Sequence, residues 1–191
     1  IATILLIACS LIVYTQYKYM RNYNLGVRTD NLVNLAVNDK AVQQKIPALK
    51  NSLLAIEGIS AITATGETFP GRMQNTWNYS WPGMGEKGQV IDIVGVDKEY
   101  FDVLNIQFVS GSNFTSEYVK DSAKSVILNR AAKELTETND LVGSKVTIGG
   151  SNREVIGVVE NYHMQSLHHQ IQPTAYFVAP TGARISPDNL L

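Results

Sequence analysis

The segment GVVENYHMQSLHH (residues 157–169) ends an apolar stretch, and it contains all three histidines of the chain. Imidazole groups this close in sequence are candidates for a metal or catalytic site. Two zinc-binding histidines on one helix are expected at positions i and i+4, whereas His163 and His168 are five apart and His169 follows directly. The three rings could still converge on a metal from a loop. We favour a turn in which the rings hydrogen-bond the backbone, and we predict no metal ligand and no catalytic residue.

The rest of the sequence carries no motif for catalysis or nucleotide binding. It has no G-x-x-x-x-G-K-[ST] phosphate-binding loop and no G-x-S-x-G nucleophile elbow. Gly83, Gly85 and Gly88 match G-x-G-x-x-G, but Pro82 precedes the motif and an apolar strand follows it. A dinucleotide site needs a strand before and a helix after, so we interpret these glycines as a turn. We therefore predict a non-catalytic chain with no cofactor.

The composition excludes further classes of protein. Sixteen basic and 17 acidic residues give a net charge of −1, which offers no electrostatic support for binding nucleic acid. The single cysteine, Cys9, excludes a disulfide framework and a cysteine-ligated zinc site. With 191 residues, 45% of them hydrophobic, the chain is long enough for one or two compact units.

The N-terminal run IATILLIACSLIVYTQYKYM (residues 1–20) has no charged residue before Lys18. A membrane-spanning helix needs about 20 mostly apolar residues, and tyrosines followed by basic residues are typical of a membrane boundary. A signal peptide would begin with basic residues, and a buried core helix would show a polar face. We predict a transmembrane helix over residues 1–20, truncated at its N-terminus, and a polar connector over residues 21–30. Charge alone does not decide on which side of the membrane the remaining chain lies.

Residues 31–65 predict a strand, a helix and a second strand packed in two layers. NLVNLAV (residues 31–37) alternates like a strand, and Asp39 is placed to cap a helix that runs to about Glu57. Pro47 either kinks that helix or marks its start. ISAITAT (residues 59–65) provides the second strand. The predicted apolar face of the helix consists of Val42, Ile46, Leu49, Leu53 and Ile56.

The remainder of the chain predicts short strands with two short helices between them. DKEYFDVLN predicts a helix capped by Asp97, and AAKEL (residues 131–135) predicts another. We interpret Asp92 and Asp102 as capping or solvent-exposed acids. This order of elements predicts an α+β domain of two lobes over residues 31–191, truncated at its C-terminal end. Strands are predicted at residues 76–81, 88–96, 106–111, 125–129, 145–148, 153–159 and 174–178.

Four segments, in this order, resemble one family, the MacB/FtsX-like permeases of ABC transporters, and in particular its Bacteroidetes type. YTQYKYMRNYNLGVRTDNLVNL is similar to the start of the family's second periplasmic domain, where a helix ends in Q-x-x-Y-M. GVDKEYFDVLNIQFVSGSNF resembles V-x-x-x-Y-F-x-x-L-x-I-x-x-x-x-G-R-x-F, and DSAKSVILNRAAKEL resembles D-x-x-x-A-V-I-L-N-E-A-A-A-K-x-L. EVIGVVENYHMQSLHHQIQP resembles x-V-I-G-V-V-K-D-F-H-x-x-S-L-H-x-x-I-x-P. The resemblance covers nearly the whole chain.

The chain departs from the family pattern at a few positions. Ser112 stands where the family usually has arginine, Arg130 where it often has an acid, and DLVG (residues 140–143) where N-P-[IL]-G is common. These departures affect local contacts only. The matching positions in the last segment imply residues that order a turn near the membrane-facing end of the domain. Those turn residues are His163, Ser166, Leu167 and His168.

The resemblance implies a permease subunit in the bacterial inner membrane, with the residues after about 20 in the periplasm. It implies that an ABC ATPase, as a separate subunit or a fused domain, drives a permease dimer. The membrane helix would carry that movement into a MacB-like domain that exports or releases a lipoprotein, a peptide or a drug. A periplasmic adaptor is a further implied partner, and nucleic acid is not.

The alternative is a membrane-anchored extracytoplasmic sensor or binding domain with no role in transport. Its anchor and its composition would look the same. The two hypotheses predict different segments after Leu191, because a permease has further membrane spans and a sensor has at most one. An enzyme ranks third, since no nucleophile, base or metal set rises above background.

Overall fold

A computed structural model of the chain describes residues 2–71, 73, 75–84, 88–115, 124–136, 138, 140–165, 167–178 and 189–191. The helices are α1 (Ala2–Arg21), α2 (Lys40–Gln43), α3 (Ile46–Leu54), α4 (Tyr100–Val103) and α5 (Arg130–Glu134). The strands are β1 (Leu35–Ala36), β2 (Ala64–Thr65), β3 (Thr76–Ser80), β4 (Gln89–Val96), β5 (Phe108–Gly111), β6 (Ser125–Asn129), β7 (Lys145–Ile148), β8 (Ser151–Val159), β9 (Thr174–Val178) and β10 (Asn189–Leu190). The predicted α+β class, with short mixed strands and a few helices, is confirmed.

Helix α1 is exposed along its whole length and is long and apolar enough to cross a membrane. Within the part of the chain that the structure describes, it is the one helix with that length and composition. Two of its hydroxyl groups bond to carbonyls within the helix: Ser10 Oγ donates to Leu6 O and Thr15 Oγ1 to Ile12 O, each at 2.8 Å. The helix therefore needs no water to satisfy these groups, as a lipid environment requires.

An outer layer is formed by β1, β2, β10, α2 and α3. Strand β10 lies between β1 and β2 and pairs antiparallel with both. Asp39 caps α2 as predicted, because its Oδ1 accepts hydrogen bonds from Ala41 N at 2.7 Å and Val42 N at 3.3 Å. The small core of this layer contains Val37, Ile46, Ile62, Ala64 and Leu190, with Leu49 and Leu53 packed against it.

One continuous helix from Asp39 to Glu57 does not form, and the alternative prediction, that Pro47 marks a helix start, is confirmed. The helix is interrupted after Gln43, and α3 restarts at Ile46 with Pro47 in its first turn, where proline's missing N–H costs nothing. Ile56 of the predicted apolar face lies beyond the end of α3 and is exposed, and Val42 is exposed as well. The predicted strand over residues 59–65 is reduced to Ala64–Thr65, and β10 was not predicted at all.

Six strands close into a barrel in the order β4, β3, β7, β8, β6, β9 and back to β4. The β6–β8 and β4–β9 pairs are parallel, and the other pairs of the ring are antiparallel. Strand β5 pairs with the C-terminal part of β8. The outer layer joins the barrel through β2 and β4, where Thr65 pairs with Val96.

Two apolar clusters pack on opposite faces of the barrel wall. One draws residues from all six barrel strands, including Tyr79, Ile93 and Leu128, and therefore fills the barrel interior. The other covers the outer face of β4, β6, β8 and β9, where α4 and the segment after β8 pack against the wall. Because alternate residues of a strand point to opposite faces, Leu128 lies in the first cluster and Ile127 in the second.

Candidate functional site

The end of α1 meets the turn after β8 through a short series of aromatic rings. The rings of Tyr19 and Tyr23 have centroids 5.7 Å apart, and Tyr23 meets His163 edge-on at the same distance, with an interplanar angle of 77°. Edge-to-face contacts at this separation are favourable because the positive rim of one ring meets the negative face of the other. The apolar helix is thus in contact with the domain through side chains.

Backbone hydrogen bonds fasten the connector to the same place. His163 N donates to Leu25 O at 2.8 Å, and Arg28 N donates to Leu104 O, just after α4, at 2.9 Å. Gly26 lies between them with φ +80°, and a Cβ there would be 3.0 Å from Asn161 O. Only glycine adopts this conformation freely at such a close approach. We call this contact between residues 19–28 and residues 161–163 the joint.

The turn itself is anchored to the barrel beside α5. Asn161 Oδ1 accepts a hydrogen bond from Ala131 N at 2.9 Å, and Glu160 forms an exposed ion pair of 2.5 Å with Arg130. Arg130 stands where the family often has an acid, and an acid at this position could not form an ion pair with Glu160. Glu160 N donates to Gln107 O at 2.9 Å. These bonds hold the start of the turn in place.

The structure brings one of the four predicted turn residues into the joint. His163 is half-buried there, Leu167 is half-buried further along the turn, and His168 is exposed, as is His169. Ser166 lies outside the described residues. The role of these residues in ordering the turn stays a prediction. Among the residues that the structure describes, no three His, Cys, Asp or Glu side chains come together in a way that could hold a metal ion.

Three buried tyrosines lie directly beneath the joint. The hydroxyl groups of Tyr100 and Tyr162 are 3.0 Å apart, and the rings of Tyr162 and Tyr176 stack at 6.2 Å. Tyr100 also donates to Met164 Sδ at 3.6 Å. Burial raises the pKa of all three hydroxyl groups, which keeps them protonated and able to donate. The Y-F-x-x-L motif contains Tyr100, but no pattern in the sequence indicates its partners.

A second cluster of polar side chains ties the outer layer to the barrel. Asp97 Oδ2 accepts hydrogen bonds from Lys50 Nζ at 2.6 Å and from Ala64 N at 2.7 Å, and Asp97 Oδ1 accepts one from Thr63 Oγ1. Lys50 Nζ also lies 3.1 Å from Glu99 Oε2. The prediction that Asp97 caps the helix is therefore wrong: α4 begins after Glu99, and the Asp97 carboxylate is used by α3 and β2 instead.

The charges in this cluster influence one another. Burial raises the pKa of Asp97 against the opposing effect of Lys50. Burial also disfavours the Lys50 ammonium, yet Asp97 and Glu99 together raise the pKa of Lys50 above its ordinary value. Burial acts against the Glu99 carboxylate too, but Lys50 lowers the pKa of that group. At neutral pH the lysine is consequently held between two carboxyl groups.

A groove of about 1480 Å³ opens between the connector, α3 and α4, and this ion cluster forms part of its wall. Several of its apolar residues are exposed, with Val33 at 76% and Leu54 at 43% of full exposure. A much smaller cleft of about 30 Å³ lies beside His163, which is room for about one water molecule. The apolar rim of the large groove includes Val33, Leu35, Leu53, Leu54 and Ile59.

The structure defines a closed barrel with an outer layer, fastened to a long exposed apolar helix that could cross a membrane. The comparison with protein families makes the class specific. The chain belongs to the family of the MacB-like periplasmic core domain, whose model matches residues 1–188. It is thus a MacB-like periplasmic core domain of an ABC transporter permease. Domains of this family belong to permease components that are not themselves catalytic, and the transporter context implies an ATPase partner.

Solved structures have the same fold at low sequence identity. The periplasmic region of MacB from Actinobacillus actinomycetemcomitans matches with a TM-score of 0.58 and 19% identity, over 86% of this chain and 74% of that one. The extracellular domain of the noncanonic ABC-type transporter YknZ from Gram-positive bacteria matches with a TM-score of 0.53 and 17% identity, over 87% and 73% of the two chains. No curated protein sequence gives a significant match.

Proposed function

We propose that this domain receives ATP-driven movement from its membrane helix and uses it to export or release a substrate on the periplasmic side. The observation that carries the proposal is the joint, in which Tyr19 of α1 contacts Tyr23 and Tyr23 contacts His163. The connector is also hydrogen-bonded to two separate segments. Movement passes between parts of a protein when they are held by contiguous packing and hydrogen bonds. A helix on a free linker would not transmit it.

The barrel is suited to receive such movement as one body. Its six strands are closed, its interior is packed with apolar side chains, and a second apolar cluster covers the outer face of β4, β6, β8 and β9. Close-packed interiors have low compressibility and transmit strain. A tilt or shift of α1 would therefore move the barrel as a unit, as in rigid-body domain movements.

The location and partners follow from the same proposal. The helix anchors the chain in the bacterial inner membrane, with the domain in the periplasm, and a separate or fused ABC ATPase supplies the energy. The permease acts as a dimer, and a periplasmic adaptor receives the substrate. That substrate is a lipoprotein, a peptide or a drug.

Labelling of a Ser52→Cys variant, in a background where Cys9 is replaced by serine, tests the location of the domain. A membrane-impermeant maleimide should react with this cysteine from the periplasmic side of spheroplasts.

An insertion experiment tests the transmission of movement. Three glycines placed between Asn22 and Tyr23 would separate α1 from Tyr23 and the connector by about 10 Å of flexible chain. In the full-length permease with its ATPase in nanodiscs, ATP should then still be hydrolysed, but the ATP-dependent change in a fluorescent label on Glu134→Cys should disappear. The same insertion between Gly149 and Gly150, in the turn between β7 and β8, is the matched control. A label that still responds after the first insertion would exclude transmission through the joint.

The groove favours a second candidate function, that of a sensor or binding domain. Its volume of about 1480 Å³ and its exposed apolar rim are compatible with holding a ligand. The number of membrane spans that the complete gene encodes after residue 191 distinguishes the two functions. A permease should have several such spans and a sensor at most one. Co-purification of an ATPase with the full-length protein would support the first function, and its consistent absence would support the second.

A further inference from the structure

We infer that α4 relays movement of the joint to the groove, with Tyr100 and Glu99 as the positioning residues at its start. The inference rests on the proposed function and names the route by which the movement reaches the outer layer. Each step of the route is a contact in the structure, and α4 both contacts the joint and lines the groove.

The joint acts on both ends of α4. At its start, the Tyr100 hydroxyl lies 3.0 Å from the hydroxyl of Tyr162, the residue next to His163. At its end, Leu104 O accepts a hydrogen bond of 2.9 Å from Arg28 N of the connector. A displacement of the connector or of the turn therefore changes the position of a helix only one turn long.

The packing around α4 passes such a displacement on. Tyr100 and Phe101 are buried, and the ring of Phe101 meets those of Tyr176 at 5.2 Å and Phe108 at 5.3 Å. Interlocked rings at these distances leave little free volume in which a shift could be absorbed. The helix moves together with the rings that it contacts.

Movement of α4 reaches α3 through the ion cluster in the wall of the groove. Glu99 immediately precedes α4, and its Oε2 lies 3.1 Å from Lys50 Nζ on α3. Lys50 and Glu99 both line the groove from opposite elements. A shift of α4 therefore changes the distance between α3 and the barrel, and with it the width of the groove.

Hydrogen exchange of the whole chain in nanodiscs tests the relay, because exchange reports local opening segment by segment. Tyr23→Ala breaks the aromatic contact of the joint. We expect it to accelerate exchange about five- to tenfold in residues 161–165, in α4 and in α3, the size of a typical coupling between sites. Tyr17→Ala, at an exposed tyrosine of α1, is the control and should leave all three segments unchanged.

The decisive comparison repeats Tyr23→Ala in a Lys50→Met background. In that background, Tyr23→Ala should still accelerate hydrogen exchange in residues 161–165 and in α4. Its additional acceleration of exchange in α3 should fall below about twofold, because the link from α4 to α3 is removed. A merely structural role of Lys50 would change the baseline exchange of α3 but not its response to Tyr23→Ala. If Lys50→Met does not fold, Tyr100→Phe serves the same purpose and should reduce the response of α4 and α3 together.

The outcomes separate the relay from the proposed function. Opening of residues 161–165 with no change in α3 would overturn the relay and leave the joint intact. An equal response of α3 in both backgrounds would also overturn the relay. No response in any segment would overturn the joint, and with it the basis of the proposed function.

Discussion

Strands β6 and β9 of the barrel are buried at every residue, whereas both residues of β1 in the outer layer are exposed. Both of these barrel strands have partners on both edges and apolar clusters on both faces. The strands of the outer layer are two residues long, and their core is a single small cluster. Because stability within a protein follows burial and contact density, the barrel should be the rigid body and the outer layer the part that opens first.

Under the proposed function, this difference gives the two regions separate roles. The joint contacts the barrel and α4, so the rigid barrel would receive the movement. The groove lies against the outer layer, where a small shift would change its shape. The Lys50, Asp97 and Glu99 cluster links the two.

The largest expected effect comes from the barrel interior. Leu128→Ala removes a fully buried side chain from β6 and should lower the free energy of unfolding by about 2–5 kcal/mol, because it leaves a cavity in a packed core. Leu54→Ala, at a 43% exposed position of α3, should change it by less than about 0.5 kcal/mol. Urea denaturation of the chain in detergent, followed by circular dichroism, measures both. Equal losses would mean that the outer layer is as tightly packed as the barrel.

The buried barrel strands could be predicted from the sequence, and the arrangement of those strands could not. SVILN, KVTI and TAYFV are short apolar runs between polar turns, and each is a strand with the predicted bounds. Closure depends on the parallel pairing of β4 with β9, about 80 residues apart, which local periodicity does not encode. Strand β10 has two residues and depends on β1 and β2 for its existence, so no local pattern indicates it.

The site could be predicted only in part, for the same reason. The last motif correctly drew attention to the turn that contains His163, but the ring that meets it, Tyr23, lies 140 positions earlier. Asp97 was placed at a helix start by its local sequence, whereas Lys50 and Thr63 compete for its carboxylate from distant segments. Tertiary contacts decided the role of each residue.

The next prediction concerns the link between the two regions. Lys50→Met keeps the length of the side chain but leaves Asp97 without its cation. Both groups retain some contact with water, so we expect a loss of about 1–3 kcal/mol rather than the larger cost of breaking a fully buried pair. The loss should appear as faster hydrogen exchange in α3, with little change in β6. Lys45→Met, at the exposed start of α3, is the control, and equal acceleration in β6 would contradict a separate outer layer.

The buried tyrosines predict how the barrel responds to alkaline pH. Burial raises the pKa of Tyr100, Tyr162 and Tyr176, so the unfolded chain releases these protons first. Their contribution to stability is complete below the unfolded value near 10 and is lost as the pH rises towards the folded values, by up to about 1.4 kcal/mol per tyrosine and pH unit. Tyr100→Phe removes one of the three titrating groups, so the free energy of unfolding should fall less steeply with pH, by the amount that one proton contributes. Urea denaturation between about pH 9 and pH 11 tests this, with Tyr17→Phe as the control.

The smallest expected effect is a difference in stability between two glycine variants, one of which lies where the connector meets the barrel. An alanine at Gly26 would need an unfavourable positive φ, and its Cβ would lie 3.0 Å from Asn161 O and 3.1 Å from Tyr162 Cβ. At Gly58 the φ is +97°, but a Cβ would have no heavy atom within 4 Å. Gly58→Ala therefore reports the cost of the backbone conformation alone, about 1–2 kcal/mol. Gly26→Ala should cost about 0.5–1 kcal/mol more, since it also crowds the joint. The difference in unfolding free energy between these two variants, measured by urea denaturation, shows how closely the connector is held against the barrel. Equal costs would mean that residues 161–162 move aside easily and that the joint is too flexible to transmit movement.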